Sequence, residues 1–293
     1  MTDRADAAGV VLAGGRSSRM GAPKAGLEWH GSTLLYRATA LLHRTVDGPV
    51  TVVSAPGQAL PALPAGVEVV EDPVEGLGPM QGLAAGLAAV ADRAETAFAC
   101  STDAPFMHPA FVARVLRGFR ESDPDRTAAG GVDLVLPVAR GYRQPLAAGY
   151  RTALHGLMTE LLQKGDLRPG MLLQHCRVRQ LDDDALLDDD GLARLDPGLD
   201  SVVNVNTPED YAAARGRPGP EVAVECFGAL ASAGRRDRRV VPAATLGEAA
   251  AAIGLVLDRH VVAALNGDQI SRDPQLPLVA GDTVAFLSAD AGG

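Results

Sequence analysis

Cysteine is scarce. Cys100, Cys176 and Cys226 are the only three in 293 residues, and their odd number and wide spacing exclude a disulfide framework or a Cys-based zinc site and predict reduced thiols. Aromatic residues make up 4% of the chain and the formal net charge is −9. Few rings are therefore available to stack on bases, the overall field repels a phosphate backbone, and nucleic acid is not an expected partner. No apolar run approaches the roughly 18 residues that would span a bilayer, so no membrane partner is expected. After Gly9 only four consecutive apolar residues follow, too few for the core of a signal peptide, and the expected location is cytoplasmic. Lysine is nearly missing too, with two among 27 basic residues.

What is present is enough to fold. With 47% hydrophobic residues the chain can offset the entropy of ordering by burial, and its length suggests roughly two domains. From residue 9 to 215, short β-branched runs at 10–13, 50–53, 67–70, 97–100 and 134–138 alternate with stretches at 34–42, 80–91 and 109–119 that place apolar residues on one helical face. This alternation predicts an α/β, Rossmann-like fold around a mostly parallel sheet. Pro208 opens a last short helix, with Thr207 as its cap and Glu209 and Asp210 in its first turn.

The stretch Gly216-Arg217-Pro218-Gly219-Pro220 breaks any helix and is the expected connector, separating a first domain at 1–215 from a second at 221–293. The second has strands at 222–227 and 240–241, a capping box from Thr245 to Glu248 opening an Ala-rich helix, a strand at 261–265 running into the hairpin dipeptide Asn266-Gly267, and a last strand at 283–287. That order predicts a small α+β domain. Aspartate fills positions 182–184 and 188–190, but an EF-hand would need an oxygen ligand where Leu186 stands and Glu where Pro197 stands. The segment is expected to be a solvated loop.

The chemistry concentrates in Leu12-Ala13-Gly14-Gly15-Arg16-Ser17-Ser18-Arg19-Met20-Gly21-Ala22-Pro23-Lys24, just after the first strand. Two adjacent glycines let backbone amides approach an anion, Ser17 and Ser18 add hydroxyl donors, and Arg16, Arg19 and Lys24 add positive charge to an acidic protein. A nucleoside triphosphate matches this loop. An ordinary glycine turn with solvated arginines is the other reading. The string is neither a Walker A loop, lacking Gly-Lys-Ser/Thr, nor a dinucleotide fingerprint, whose glycine spacing it misses. Asp103 lies just past an apolar strand, where a carboxylate either caps a turn or faces the same crevice as the loop. Cys100, with no histidine near it in the motif, is expected to be core, and His108, His155 and His175 lack metal-ligand spacing.

The thirteen-residue string resembles the signature of the MobA-like nucleotidyltransferases, the molybdenum cofactor guanylyltransferase family. Glu71-Asp72 with Gly78-Pro79-Met80-Gln81-Gly82-Leu83 is similar to a further family segment, as are Cys100-Ser101-Thr102-Asp103-Ala104-Pro105, Gln144-Pro145-Leu146, and Asn204-Val205-Asn206-Thr207-Pro208-Glu209-Asp210. Ser54 and Gln144 stand where the family often has Asn and His. The resemblance implies GTP as substrate, with Gly14 where CTP- and UTP-using relatives more often carry alanine, and Mg²⁺ as cofactor. It implies GMP transfer to molybdopterin or its metal-loaded form. Asp103 would hold the metal, assisted by Asn206. Arg19 and Lys24 would stabilise the leaving pyrophosphate, Leu12, Ala13 and Gly14 would meet the guanine through their backbone, Gly15 and Arg16 would line the phosphate loop, and Asp72 would line the nucleotide pocket.

Residues 222–293 resemble the ubiquitin-like MoaD/ThiS sulfur carriers, of β-grasp fold, through Val224-Glu225-Cys226-Phe227-Gly228, Leu265-Asn266-Gly267, residues 278–282 and the final Gly292-Gly293. The resemblance implies that Gly293 is the site of adenylation and thiocarboxylation, with the molybdopterin synthase large subunit and an adenylating enzyme as partners. Two other readings remain at this stage: a cytidylyl or sugar-phosphate nucleotidyltransferase, and a non-catalytic sulfur carrier whose first domain binds nucleotide for regulation.

Overall fold

A computed structural model describes residues 5–14, 20, 23–73, 76–123, 131–165, 168–233 and 237–288. The chain divides into two compact units, one comprising the residues through Leu27 together with Leu34–Pro208, the other Glu28–Thr33 together with the residues from Glu209 onward. The chain thus changes units at Pro208–Glu209, ahead of the connector expected at 216–220.

The first unit is built on an eight-stranded sheet. Its strands are β1 (Ala5–Leu12), β4 (Val50–Ser54), β5 (Glu68–Glu71), β6 (Ala94–Ser101), β7 (Leu134–Ala139), β8 (Tyr142–Arg143), β9 (Ala147–Arg151) and β10 (Val178–Asp182). The order is β10-β7-β9-β6-β1-β4-β5, with β8 paired to β7. β4, β5 and β6 run parallel to β1 through direct or successive pairing, while β9 runs antiparallel to both β6 and β7. The sheet is mixed within its mostly parallel order: the chain leaving β7 turns back too soon for a crossover helix, so β8 and β9 both run against β7.

Helices cover both faces because residues alternate along the central strands. Val11 and Val52 point into a core shared with α1 (Leu34–His43) and α3 (Pro109–Ser122), whereas Val10 and Val53 join the opposite core with α2 (Pro79–Val90) and α4 (Leu154–Gln163). A short helix, α5, spans Pro169–Leu172. Gly78, at φ +84°, precedes the Pro79 that opens α2, a backbone setting that favours glycine.

The aspartate-rich stretch is not a solvated loop. It forms two short helices, α6 (Asp183–Leu187) and α7 (Asp190–Leu195), in which Asp182 accepts from the amide of Ala185 and Asp189 from that of Leu192. Short acidic side chains satisfy the free amides of a first turn, and the intervening Leu186 and Leu192 are buried.

The second unit contains the hairpin β2 (Glu28–Trp29) and β3 (Ser32–Thr33), all but the first residue of α8 (Pro208–Arg215), and a five-stranded sheet. The strands are β11 (Glu221–Cys226), β12 (Arg239–Pro242), β13 (Val261–Leu265), β14 (Gln269–Ser271) and β15 (Thr283–Ser288), in the order β12-β11-β15-β13-β14, with β11 and β15 parallel. α9 (Leu246–Ala252) buries Leu246, Ala249 and Ala250 in a core with Val222, Val224 and Phe286. The β13–β14 loop has three residues, Asn266 to Asp268, rather than the expected two. Asn266 explains the longer loop: its side chain donates to Asp282 Oδ1 at 2.8 Å and accepts from the Thr283 amide at 2.9 Å, fastening the turn to the start of β15. Among the described residues no helix is long and apolar enough to cross a membrane.

Several surface carboxylates predict an acid limit to stability. Arg93 holds Glu68, and Arg177 holds Asp133, below the ordinary carboxylate range; at Asp47 burial pushes upward but the amides of Ala7 and Asp6 outweigh it. A depressed folded value gives stability that is complete above the unfolded value, about 4, and is lost as pH falls through the folded one. Asp196 runs the opposite way: burial raises it despite its bonds to Ser201. The expected outcome is a urea midpoint that falls modestly once the pH drops below about 4, because these pairs are largely exposed, and an unchanged midpoint there would contradict it.

Candidate nucleotide site

The order β6-β1-β4-β5 means that the chain leaves β1 toward β4 and β5 and then returns to β1's other side through β6. Such a reversal opens a crevice beyond the carboxyl ends of the two strands, where ligands of open α/β sheets bind. Leu12 pairs with Ser101, so the segments after β1 and β6 begin side by side.

After β1 the chain is laced to the segment following β4. The amides of Ala13 and Gly14 donate to the Val53 carbonyl at 2.8 and 3.2 Å. Gln58 donates through Nε2 to the Ala13 carbonyl at 3.1 Å and accepts from the Ala55 amide at 3.0 Å. A Cβ on Gly14 would lie 3.1 Å from the Ala55 nitrogen, so the two backbones meet at a distance that suits glycine. Gln58 was not a sequence candidate, for nothing in its neighbourhood marks a lone loop glutamine.

Lys24 begins a single 3-10 turn, Lys24–Gly26, whose Ala25 is buried in the α1 and α3 core. Its Nζ donates to Asp103 Oδ2 and to Asn206 Oδ1, both at 2.9 Å. The other carboxylate oxygen of Asp103 accepts from the Ser101 hydroxyl. Three residues far apart in sequence thus meet at one point, and with side-chain exposures of 19% and 17% for Lys24 and Asp103 the pair is partly shielded yet open to a ligand.

The surrounding chain holds this point in place. The Val205 amide donates to the Asp103 carbonyl at 2.8 Å, the buried Arg37 of α1 donates through Nε to the Pro105 carbonyl at 2.7 Å, and the His108 amide donates to Ser201 Oγ at 3.0 Å. His108 also caps α3 by accepting from the Ala110 amide, a structural role. Arg37 and Ser201 were not read from the sequence, because anchoring residues of this kind carry no local pattern.

Asp72 follows β5, its amide bonded to the Ser54 carbonyl at 2.8 Å. A Cβ on Gly82 of α2 would lie 3.3 Å from Leu12 Cδ2 and 3.8 Å from Asp72 Oδ2, so Leu12 and Asp72 share the surroundings of that helix's first turns. Gln144 Nε2 donates to the Ala139 carbonyl at 3.3 Å. Cys100 is fully buried, and burial together with the Asp103 charge pushes its thiol far upward; it is core and not a nucleophile. Gly15, Arg16, Arg19 and Gly293 lie outside the described residues.

The oxygen set suits magnesium. Mg²⁺ takes hard oxygen ligands and commonly one or two from protein, the rest from phosphates and waters. Asp103 and Asn206 offer a carboxylate and a carboxamide oxygen around one point that already holds a cationic group, the Lys24 ammonium. Among the described residues no group of three or more His, Cys, Asp or Glu side chains could hold a metal ion by itself.

A switch-point crevice furnished for anionic ligands, on a mixed sheet of this order, belongs to the Rossmann-like nucleotidyltransferases, and the chain is an enzyme of that class. Residues 9–180 match the MobA-like NTP transferase domain, and the chain belongs to that family. A probable molybdenum cofactor guanylyltransferase of Mycobacterium tuberculosis (strain ATCC 25618 / H37Rv) is 36% identical over 174 residues, covering 58% of this chain and 81% of the relative. One of Bacillus cereus (strain AH187) is 28% identical over 210 residues, covering 71% and 95%. The fold is similar to the crystal structure of molybdopterin-guanine dinucleotide biosynthesis protein A from Archaeoglobus fulgidus, with a TM-score of 0.52 and 21% identity over 71% of this chain and 96% of that one.

Proposed function

We propose that the first domain transfers GMP from GTP to molybdopterin, or to its metal-loaded form, and that the second is a β-grasp sulfur carrier in the same biosynthesis. The convergence of Lys24, Asp103 and Asn206 at the switch point carries the first part. The guanylyltransferase relatives supply the substrate class.

In this reading a terminal phosphate oxygen of molybdopterin attacks the α-phosphorus of GTP. A new P–O bond forms, the bond between the α-phosphorus and the bridging oxygen breaks, and pyrophosphate leaves with that electron pair. There is little covalent work for the protein, so catalysis is positioning and charge neutralisation. Lys24, with Arg19, meets the charge growing on the pyrophosphate. Leu12, Ala13 and Gly14 meet the guanine through their backbone, Gly15 and Arg16 line the phosphate loop, and Asp72 lines the nucleotide pocket. Asp103 and Asn206 are the residues that would hold Mg²⁺, which when bound neutralises phosphate charge.

The test is pyrophosphate release. GTP with molybdopterin and Mg²⁺ is expected to give release that CTP and UTP do not match, that falls without acceptor and that stops on chelation. Equal release with CTP or UTP favours a cytidylyl or sugar-phosphate enzyme and sinks the guanylyl assignment.

The carrier reading assigns 1–215 to the transferase, 216–220 to a connector and 221–293 to the carrier. The parallel pairing of β11 and β15 at the centre of a five-stranded sheet, with α9 packed against it, supports it. Gly293 would be adenylated by an activating enzyme and then thiocarboxylated, to serve the molybdopterin synthase large subunit. After incubation with that activating enzyme and a sulfur donor, the intact mass is expected to rise by about 16 Da, one oxygen exchanged for sulfur. An unchanged mass favours a glycine tail without this role.

A further inference from the structure

The segment that follows β4 is a tight turn, Ala55-Pro56-Gly57-Gln58. The Gln58 amide donates to the Ala55 carbonyl at 3.1 Å, and Gly57 sits at φ +66°, so a proline and a left-handed glycine occupy the two central positions that a type II turn assigns them. Two side chains lock it. Gln58 Oε1 accepts from the Ala55 amide at 3.0 Å, closing the turn a second time, and Glu71 Oε1, at the end of β5, accepts from the Gly57 amide at 3.0 Å. The donor end of the carboxamide then reaches out of the turn, Nε2 donating to the Ala13 carbonyl at 3.1 Å. The partners fix which end is which, since the reverse would set oxygen against oxygen and NH2 against N–H. All of these residues belong to the first unit.

These bonds restrict what the chain after β1 can offer a ligand. An amide has one proton, and those of Ala13 and Gly14 are both committed to the Val53 carbonyl, at 2.8 and 3.2 Å. A carbonyl oxygen accepts two hydrogen bonds, of which Gln58 supplies one at Ala13. The pair therefore meets a ligand as acceptors, and Gly14 is exposed. Acceptors select donors. Guanine carries two adjacent donors on one edge, N1–H and the 2-amino group, whereas adenine has a single amino donor there beside an unprotonated N1. An acceptor set against an acceptor forfeits a hydrogen bond and keeps the cost of desolvation, so this stretch of backbone favours guanine.

We propose that Gln58 is a positioning residue for base selection: by fastening the Ala13 carbonyl to the Ala55–Gln58 turn, it holds an acceptor ready for the donor edge of a guanine base. A carbonyl free to rotate would adapt to either purine, so discrimination requires that it be held before the base arrives. The base selection rests on the proposed nucleotide function, in which Leu12, Ala13 and Gly14 meet the base; the hold of Gln58 on Ala13 does not.

Two variants divide the carboxamide. Gln58→Glu keeps the acceptor for the Ala55 amide and loses the donor to Ala13, whereas Gln58→Ala removes both. Residue-resolved amide hydrogen exchange without nucleotide is the first readout. Both variants should speed exchange at Ala13 and Gly14 several-fold, Gln58→Ala alone should speed it at Ala55, and the amides of Val10 and Val11 in β1 should keep their rates, which shows that the sheet is intact. Titration calorimetry with GTP, ITP and ATP in the presence of Mg²⁺, without molybdopterin, is the second. The unaltered protein is expected to bind GTP most tightly, ITP, which lacks the 2-amino group, less tightly, and ATP least. Both variants should weaken GTP about tenfold, the effect of one hydrogen bond, and leave ATP within about twofold, so that the preference narrows. A turn that merely supported the fold would weaken all three alike. Unchanged exchange at Ala13 and Gly14 in both variants overturns the hold on Ala13, and faster exchange with an unchanged GTP-to-ATP ratio overturns the role in base selection. If the unaltered protein binds GTP and ATP equally, or neither, the guanine reading falls and base selection falls with it, while the exchange rates still decide whether the carboxamide holds Ala13.

Discussion

Lys24→Ala is expected to lower GTP-dependent pyrophosphate release by about 10²–10³-fold, the usual cost of removing one preorganised donor from a charge that develops in the transition state. The ammonium stands 2.9 Å from both Asp103 and Asn206, the residues expected to hold the metal, and so lies where the triphosphate is expected to be gripped. The loss should fall mainly on kcat, because charge grows on the pyrophosphate as the bond breaks while the bound triphosphate still has its other contacts. The fold should survive. The pair is partly exposed, so water can reach the carboxylate that loses its ammonium, and Asp103 keeps its bond from Ser101. Steady-state pyrophosphate release beside a thermal melt decides the matter. A variant that turns over within threefold of the parent would remove Lys24 from the chemistry.

The reach of the sequence follows from how local each signal is. Val10, Val11 and Leu12 announce a central strand because they are apolar on both faces, and α3 shows in the spacing of Phe111, Val112, Val115 and Phe119. The meeting of Lys24 with Asp103 and Asn206, 79 and 182 residues away, has no local signature. It was approachable only because a loop after one strand and a carboxylate after another were both expected at carboxyl ends of the same sheet. Where several weak interactions cooperate, the pattern fails. The β2–β3 hairpin has two residues per strand, too few for a period, and its one cue is the His30-Gly31 dipeptide. The aspartate run fails a calcium spacing at Leu186 and Pro197, yet an aspartate three residues before Ala185 or Leu192 is equally the spacing of an N-cap. Gln58, Arg37 and Ser201 act on carbonyls and amides whose whereabouts only the folded chain reveals.

Gly86→Ala is expected to destabilise the protein by about 2 kcal/mol net, against a gain from the same change at Gly156. A Cβ on Gly86 would lie 2.4 Å from Val10 Cγ1 and 2.9 Å from Val53 Cγ2. Both valines are buried and β-branched, so neither has a free rotamer to yield, and α2 must lift from the sheet. Overpacking of this severity costs up to about 3 kcal/mol. Alanine returns about 1 kcal/mol through its better helix propensity. For a domain of this size each kcal/mol moves Tm by about 2–4 °C, which puts the fall at about 4–8 °C. At Gly156 in α4 an added Cβ meets nothing within 4 Å, so only the propensity gain of up to about 1 kcal/mol remains and Tm should hold or rise. The strain at Gly86 is also a strain on the site, because Val10 and Val53 lie within two residues of Leu12 and Ser54, whose strand ends border the crevice. Turnover in Gly86→Ala should therefore fall at temperatures well below its melt. If the two alanine variants shift Tm in the same direction, the close approach of α2 to β1 and β4 is not what Gly86 provides.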